Sequence, residues 1–107
     1  MTKNDLFDKL VRDKIPEIIR SEGRTPKIRK IENDRVFEEY LTKKLMEETM
    51  EFQRSHAIQE LADIFEIILS FLSLEEISFT EFEQICAKKR VEKGSFKERL
   101  VLKAITD

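Results

Sequence analysis

Lys44-Leu45-Met46-Glu47-Glu48-Thr49-Met50-Glu51, followed by Ile58-Gln59-Glu60-Leu61-Ala62-Asp63, carries two acidic pairs, Glu48/Glu51 and Glu60/Asp63, each spaced by three residues in helix-forming sequence. Residues three apart share a helix face. Phe37, Leu41, Leu45 and Phe52, with Val36 and Tyr40, form one apolar stripe, and Glu48 falls inside it with Glu51 on the same side. Glu47 lies at the stripe's edge, and Lys44 sits within it one turn before Glu48. A carboxylate aimed at a core costs several kcal/mol unless it is paired or bound to a cation. Taken singly, each acidic pair fits a solvated helix face, with Glu48 answered by Lys44. Taken together, on helices packed side by side, they bring four carboxylates to one place, and ligands that are all oxygen suit Mg²⁺ or Mn²⁺.

Working outward, Ser55 or His56 marks a break, and Ile58 to Leu74 reads as a central helix, apolar around most of its circumference and covered on several sides. Its polar strip is Asp63, Glu66, Ser70 and Ser73, while Glu60 lies between the directions of Ile67 and Phe71. Upstream, Asn33 or Asp34 caps the helix that runs to about Ser55. Pro16 suits the first turn of an earlier helix buried through Ile15, Ile18 and Ile19, with Gly23 placed to end it. Lys27 to Ile31 is a brief extended segment, and Leu6, Phe7, Leu10 and Val11 form a small apolar patch. Downstream, Ser78 and Glu81 make a capping box for a helix that carries Phe82, Ile85 and Cys86 inward and stops at Gly94. Phe96, Leu100, Val101, Leu102 and Ile105 predict a C-terminal segment that docks on the bundle or on a partner.

The 107 residues make one all-α domain, a bundle of about four helices spanning 1–107 and small enough that burial by oligomerisation is expected. Two Gly and two Pro leave little room for long loops. A net charge of −2 disfavours nucleic acid as a partner, because such binding needs a basic surface to release counterions. The balance is local, however. Arg54 is the one fixed positive charge between Glu47 and Glu66, whereas Lys88, Lys89, Arg90, Lys93, Lys97, Arg99 and Lys103 face only Glu92 and Glu98 between Lys88 and Lys103. An acidic centre followed by a basic tail is what a metal and a polyphosphate jointly require. A single cysteine excludes an internal disulfide and a sulfur metal site. No basic leader precedes an apolar run, and acids interrupt the most apolar helix, so a soluble cytoplasmic protein without membrane partners is expected.

Glu47-Glu48-Thr49-Met50-Glu51 with Glu60-Leu61-Ala62-Asp63 resembles the EExxE…ExxD signature of the all-α nucleoside triphosphate pyrophosphohydrolases, the MazG-like superfamily that includes phosphoribosyl-ATP pyrophosphohydrolase. Lys9-Leu10-Val11-Arg12-Asp13-Lys14-Ile15-Pro16, Lys44-Leu45-Met46, and Lys89-Arg90 with Lys93-Gly94-Ser95-Phe96 and Arg99 are similar to a small single-domain branch of that group, so the resemblance covers nearly the whole chain. It implies that Glu48, Glu51, Glu60 and Asp63 bind Mg²⁺. It also implies that Glu47 orients water beside them, which places Glu47, Glu48 and Glu51 in catalysis. The implied reaction is hydrolysis between the α- and β-phosphates of a nucleoside triphosphate or a phosphoribosyl nucleotide, giving a monophosphate and pyrophosphate. Basic groups must then hold the phosphates, and Arg12, Lys44, Lys89, Arg90 and Lys93 are the candidates. Relatives commonly dimerise, so a homodimer or higher homo-oligomer is expected. Two departures stand out: a short gap between the acidic pairs, and Ser95 where a second glycine is expected. His56 reads as a cap or surface residue and Cys86 as core. A non-catalytic helical interaction module is the alternative of a different class.

Overall fold

The computed structural model describes residues 6–107, which hold four α-helices and no strand. Helix α1 (Ile15–Ser21) starts on Pro16 and closes with Gly23 at φ 81°, where the Gly23 and Arg24 amides return to the carbonyls of Arg20 and Ile19. That left-handed position is one where glycine carries no Cβ penalty. Helix α2 (Asp34–Ser55) begins at Asn33, whose side chain accepts the Val36 amide at 3.1 Å. It stops at His56, which turns left-handed at φ 51° and donates its amide to the Phe52 carbonyl at 2.8 Å. Helix α3 (Ile58–Leu74) starts directly after Ala57, so a very short link folds it back along α2. Ser78 caps helix α4 (Phe79–Lys93) by accepting the Glu81 amide at 3.1 Å, and Gly94 ends it at φ 82°.

Among the described residues only two helix pairs pack, α2 with α3 and α3 with α4. The fully covered apolar side chains sit where α2 meets α3: Leu41 is 2% exposed, Ile67 6% and Leu72 9%. That core is small for the length. The chain exposes 10297 Å², against about 6,300 Å² for a compact monomer of its mass. Its radius of gyration of 18.8 Å likewise exceeds the roughly 13 Å of a compact domain this long.

Several expectations change on this framework. Helix α3 is covered by α2 and in part by α4, but Ile58, Leu61 and Phe65 stay exposed, because two neighbours cannot enclose a helix that is apolar nearly all round. On α4, Phe82 and Cys86 are half-buried as their phase predicts, while Ile85 faces outward. Residues after Gly94 are extended or turned, and Phe96, Leu100, Val101, Leu102 and Ile105 do not dock on this chain's own helices, being 78% to 97% exposed. Of the N-terminal patch, Leu10 and Val11 are half-buried, but Leu6 and Phe7 are exposed. Ser95 has no left-handed backbone, so its conformation does not call for glycine. No helix among the described residues is long and apolar enough to cross a membrane.

Candidate metal centre

The tight α2–α3 link sets the site. It returns the chain so that the first turns of α3 lie beside the last turns of α2, placing Glu60 and Asp63 opposite Glu48. Carboxylate oxygens of Glu48, Glu60 and Asp63 come within 4.8 Å of one another. Among the described residues Glu48 is the one charged side chain that is buried, 9% exposed, as its phase within the apolar stripe predicts. Lys44 answers it from one turn earlier at 3.4 Å, and the same ammonium donates to Glu47 at 3.4 Å.

Glu60 records how crowded the cluster is. A hydrogen bond between its carboxyl and that of Glu48 raises its pKa, and partial burial and repulsion from Glu48, Asp63 and Glu51 push the same way. Close like charges disfavour the ionised form, which is why the shift is upward. The donor set is oxygen alone, drawn from two rigid helices, which fits a hard divalent ion and not a soft one.

Glu51 stands one turn beyond Glu48, near enough to repel Glu60, but its Oε1 pairs with Arg54 at 3.2 Å and it lies outside the tight group of three. Glu47 is held between Lys44 and Lys9, the latter at 3.8 Å. Arg12 reaches the cluster from fifty-one residues away and donates to Asp63 Oδ1 at 2.7 Å. Lys89, Arg90 and Lys93 lie on α4, which does not pack against α2, and among the described residues they make no ion pair with the acids of the cluster. Lys89 and Lys93 line an open depression with Ile85, Lys88 and Glu92, and Arg90 borders another with Phe65, Phe79, Phe82 and Cys86.

This chain matches no protein-family description, no curated protein and no solved structure. The site is therefore read on its own chemistry. Spacing and resemblance pointed to the two acidic helices and to Arg12 as one candidate, but gave no sign of the contacts that hold the segment carrying Arg12. Tyr40, on the turn of α2 before Lys44, donates its hydroxyl to Asp8 Oδ1 at 2.6 Å and accepts from Arg29 Nη2 at 3.0 Å. His56 is exposed and packs its ring edge-to-face against Phe52 at 5.1 Å, which keeps it in the role of a cap.

Proposed function

We propose that this chain is a Mg²⁺-dependent nucleotide pyrophosphohydrolase of MazG-like type, cleaving a nucleoside triphosphate between the α- and β-phosphates to a monophosphate and pyrophosphate. The observation that carries the reading is the convergence of Glu48, Glu60 and Asp63 from two helices within 4.8 Å, with Glu48 buried. When bound, Mg²⁺ supplies charge neutralisation at phosphate oxygens and makes a coordinated water more acidic.

The chain's own groups do the rest. Glu48, Glu60 and Asp63 would hold the ion, and Glu51 would be its fourth ligand if it gave up Arg54, an exposed partner that costs little to lose. Lys44 pairs with the carboxylates of Glu47 and Glu48, and Glu47, beside the ligands, would orient the attacking water. Arg12 binds phosphate from the cluster's edge. Lys89, Arg90 and Lys93 lie away from the acids in one chain, so they serve the site of a second copy in a homodimer or higher homo-oligomer. Support for assembly comes from the surplus exposed surface and from the uncovered apolar stripe of α3. Phosphoribosyl-ATP is the alternative substrate within the same reaction class.

The test is pyrophosphate release from a panel of ordinary and modified triphosphates and phosphoribosyl-ATP, with and without Mg²⁺, with Glu51→Gln in parallel. Mg²⁺-dependent release by the native chain alone is expected. Full activity in Glu51→Gln would sink the assignment of that ligand, and silence across the whole panel would leave the non-catalytic module.

A further inference from the structure

The acidic cluster has two counter-ions of different kinds. Lys44 is part of α2 itself, on the same face as Glu47 and Glu48, and pairs with both at 3.4 Å. Arg12 comes from the segment before α1 and reaches Asp63 on α3 from there. That segment is tied down in a definite way. Asp8 accepts the Tyr40 hydroxyl, Lys9 pairs with Glu47 two helical turns further along α2, and Arg12 then meets Asp63. Arg29, from the stretch after α1, donates to the same Tyr40 hydroxyl and lies over its ring at 5.6 Å. One tyrosine thus pins the chain on both sides of α1 to a single turn of α2. The bond to the Asp8 carboxylate is strong enough to raise the phenol's pKa, reinforced by burial and the Asp8 charge and opposed by Arg29.

Arg12 holds Asp63, whose carboxylate also belongs to the converging group of three. A divalent ion seated on that group and the Arg12 guanidinium compete for one carboxylate. Resting on the reading of the cluster as a Mg²⁺ site, we propose that residues 8–12 form an arm latched by Tyr40, whose Arg12 is the exchangeable counter-ion of the cluster. It neutralises Asp63 before the metal arrives, and when displaced it stays beside the site, where its planar fork takes a phosphate of the nucleotide. Tyr40 is then a positioning residue. It touches neither metal nor phosphate and acts by keeping Arg12 within reach.

The experiment measures Mg²⁺ binding by calorimetry without nucleotide, then binding of a non-hydrolysable triphosphate in saturating Mg²⁺. The proteins are the native chain, Arg12→Gln, Asp8→Asn, Tyr40→Phe and the Arg12→Gln/Asp8→Asn double variant. Asp8 is exposed, and Asp8→Asn takes away the charge that strengthens the Tyr40 bond while leaving Tyr40 and Arg29 in place, so that variant weakens the latch even if Tyr40→Phe disturbs folding. Removing an exposed ion pair of this kind tightens Mg²⁺ about twofold to fivefold in Arg12→Gln, and the same variant weakens the triphosphate. Asp8→Asn and Tyr40→Phe reproduce part of both changes while keeping the Arg12 charge. In the double variant Asp8→Asn adds nothing to Arg12→Gln, because the two act as one unit. Tyr40 is the sole tyrosine and the chain has no tryptophan, so its fluorescence reports the latch directly and stays native in Arg12→Gln. Unchanged Mg²⁺ affinity in Arg12→Gln, or additive effects in the double variant, overturns the arm and leaves the metal site standing. Absence of Mg²⁺ binding in every protein overturns the metal reading and the arm with it.

Discussion

Phe65→Glu tests whether the chain completes its core with copies of itself. Phe65 is 43% exposed, packed edge-to-face on Phe79 at 5.9 Å, and lies in one α3 stripe with the exposed Ile58 and Leu61. Covering the exposed part of a ring of about 200 Å² buries close to 90 Å², which at roughly 25 cal/mol per Å² is about 2 kcal/mol per chain. In a two-fold symmetric interface the contact occurs twice, so losing it costs about 4 kcal/mol per dimer, roughly a thousandfold in the dissociation constant. Forcing a carboxylate into that interface adds to the loss. The surface to be covered is large: the chain exposes about 4,000 Å² more than a compact monomer of 12.8 kDa. An obligate interface takes roughly 1,000 to 2,500 Å² from each partner, which that surplus can supply. Sedimentation velocity is expected to give twice 12.8 kDa or a higher multiple for the native chain, with a thermal midpoint that rises with protein concentration. Phe65→Glu should sediment at the single-chain mass or lose its helical signal. A native chain that is helical and monomeric over the whole accessible concentration range, with a concentration-independent midpoint, refutes the reasoning.

Leu41→Ala removes the most deeply covered side chain and should cost about 2 to 5 kcal/mol, read by chemical denaturation at fixed protein concentration. Glu76 closes the end of α3 in a left-handed conformation at φ 57°, with the Glu76 and Ile77 amides returned to Ser73 and Leu72. Glu76→Gly relieves that backbone strain and should stabilise the protein by about 0.5 to 1 kcal/mol, a sign opposite to that of glycine inside a helix. The Glu60 carboxyl has a raised pKa, so the folded chain binds that proton more tightly than the unfolded chain does. Its contribution is complete below the ordinary glutamate range and is lost as pH rises through the raised value. Without metal, stability should therefore fall across that window, and the rise in melting temperature on adding Mg²⁺ should be larger near neutral pH than in acid. Glu60→Gln should flatten both responses.

The helices were legible because their signals are local. Asn33 and Ser78 cap with their own side chains, Gly23 and Gly94 end helices with positive φ, and His56 breaks the chain where the apolar phase changes. The intrusion of Glu48 into the α2 stripe was equally visible, since a residue's phase on one helix depends only on spacing. Which acids meet across two helices is a different matter. It depends on the rotation of each helix about its axis, set by the left-handed turn at His56 and by the packing of Leu41, Ile67 and Leu72. That rotation groups Glu48, Glu60 and Asp63 and leaves Glu51 with Arg54.

The chain's own order of residues thus determined four helices, their limits, and two acidic faces with the charge that a divalent cation and a phosphate would answer. Only the tertiary structure decided that Arg12 stands on Asp63, that Tyr40 holds Asp8 and Arg29 together, and that α3 keeps an apolar stripe uncovered. Those contacts join residues far apart in sequence through long side chains with many rotamers. No periodicity encodes them, because their free energy depends on where two separate backbones come to rest.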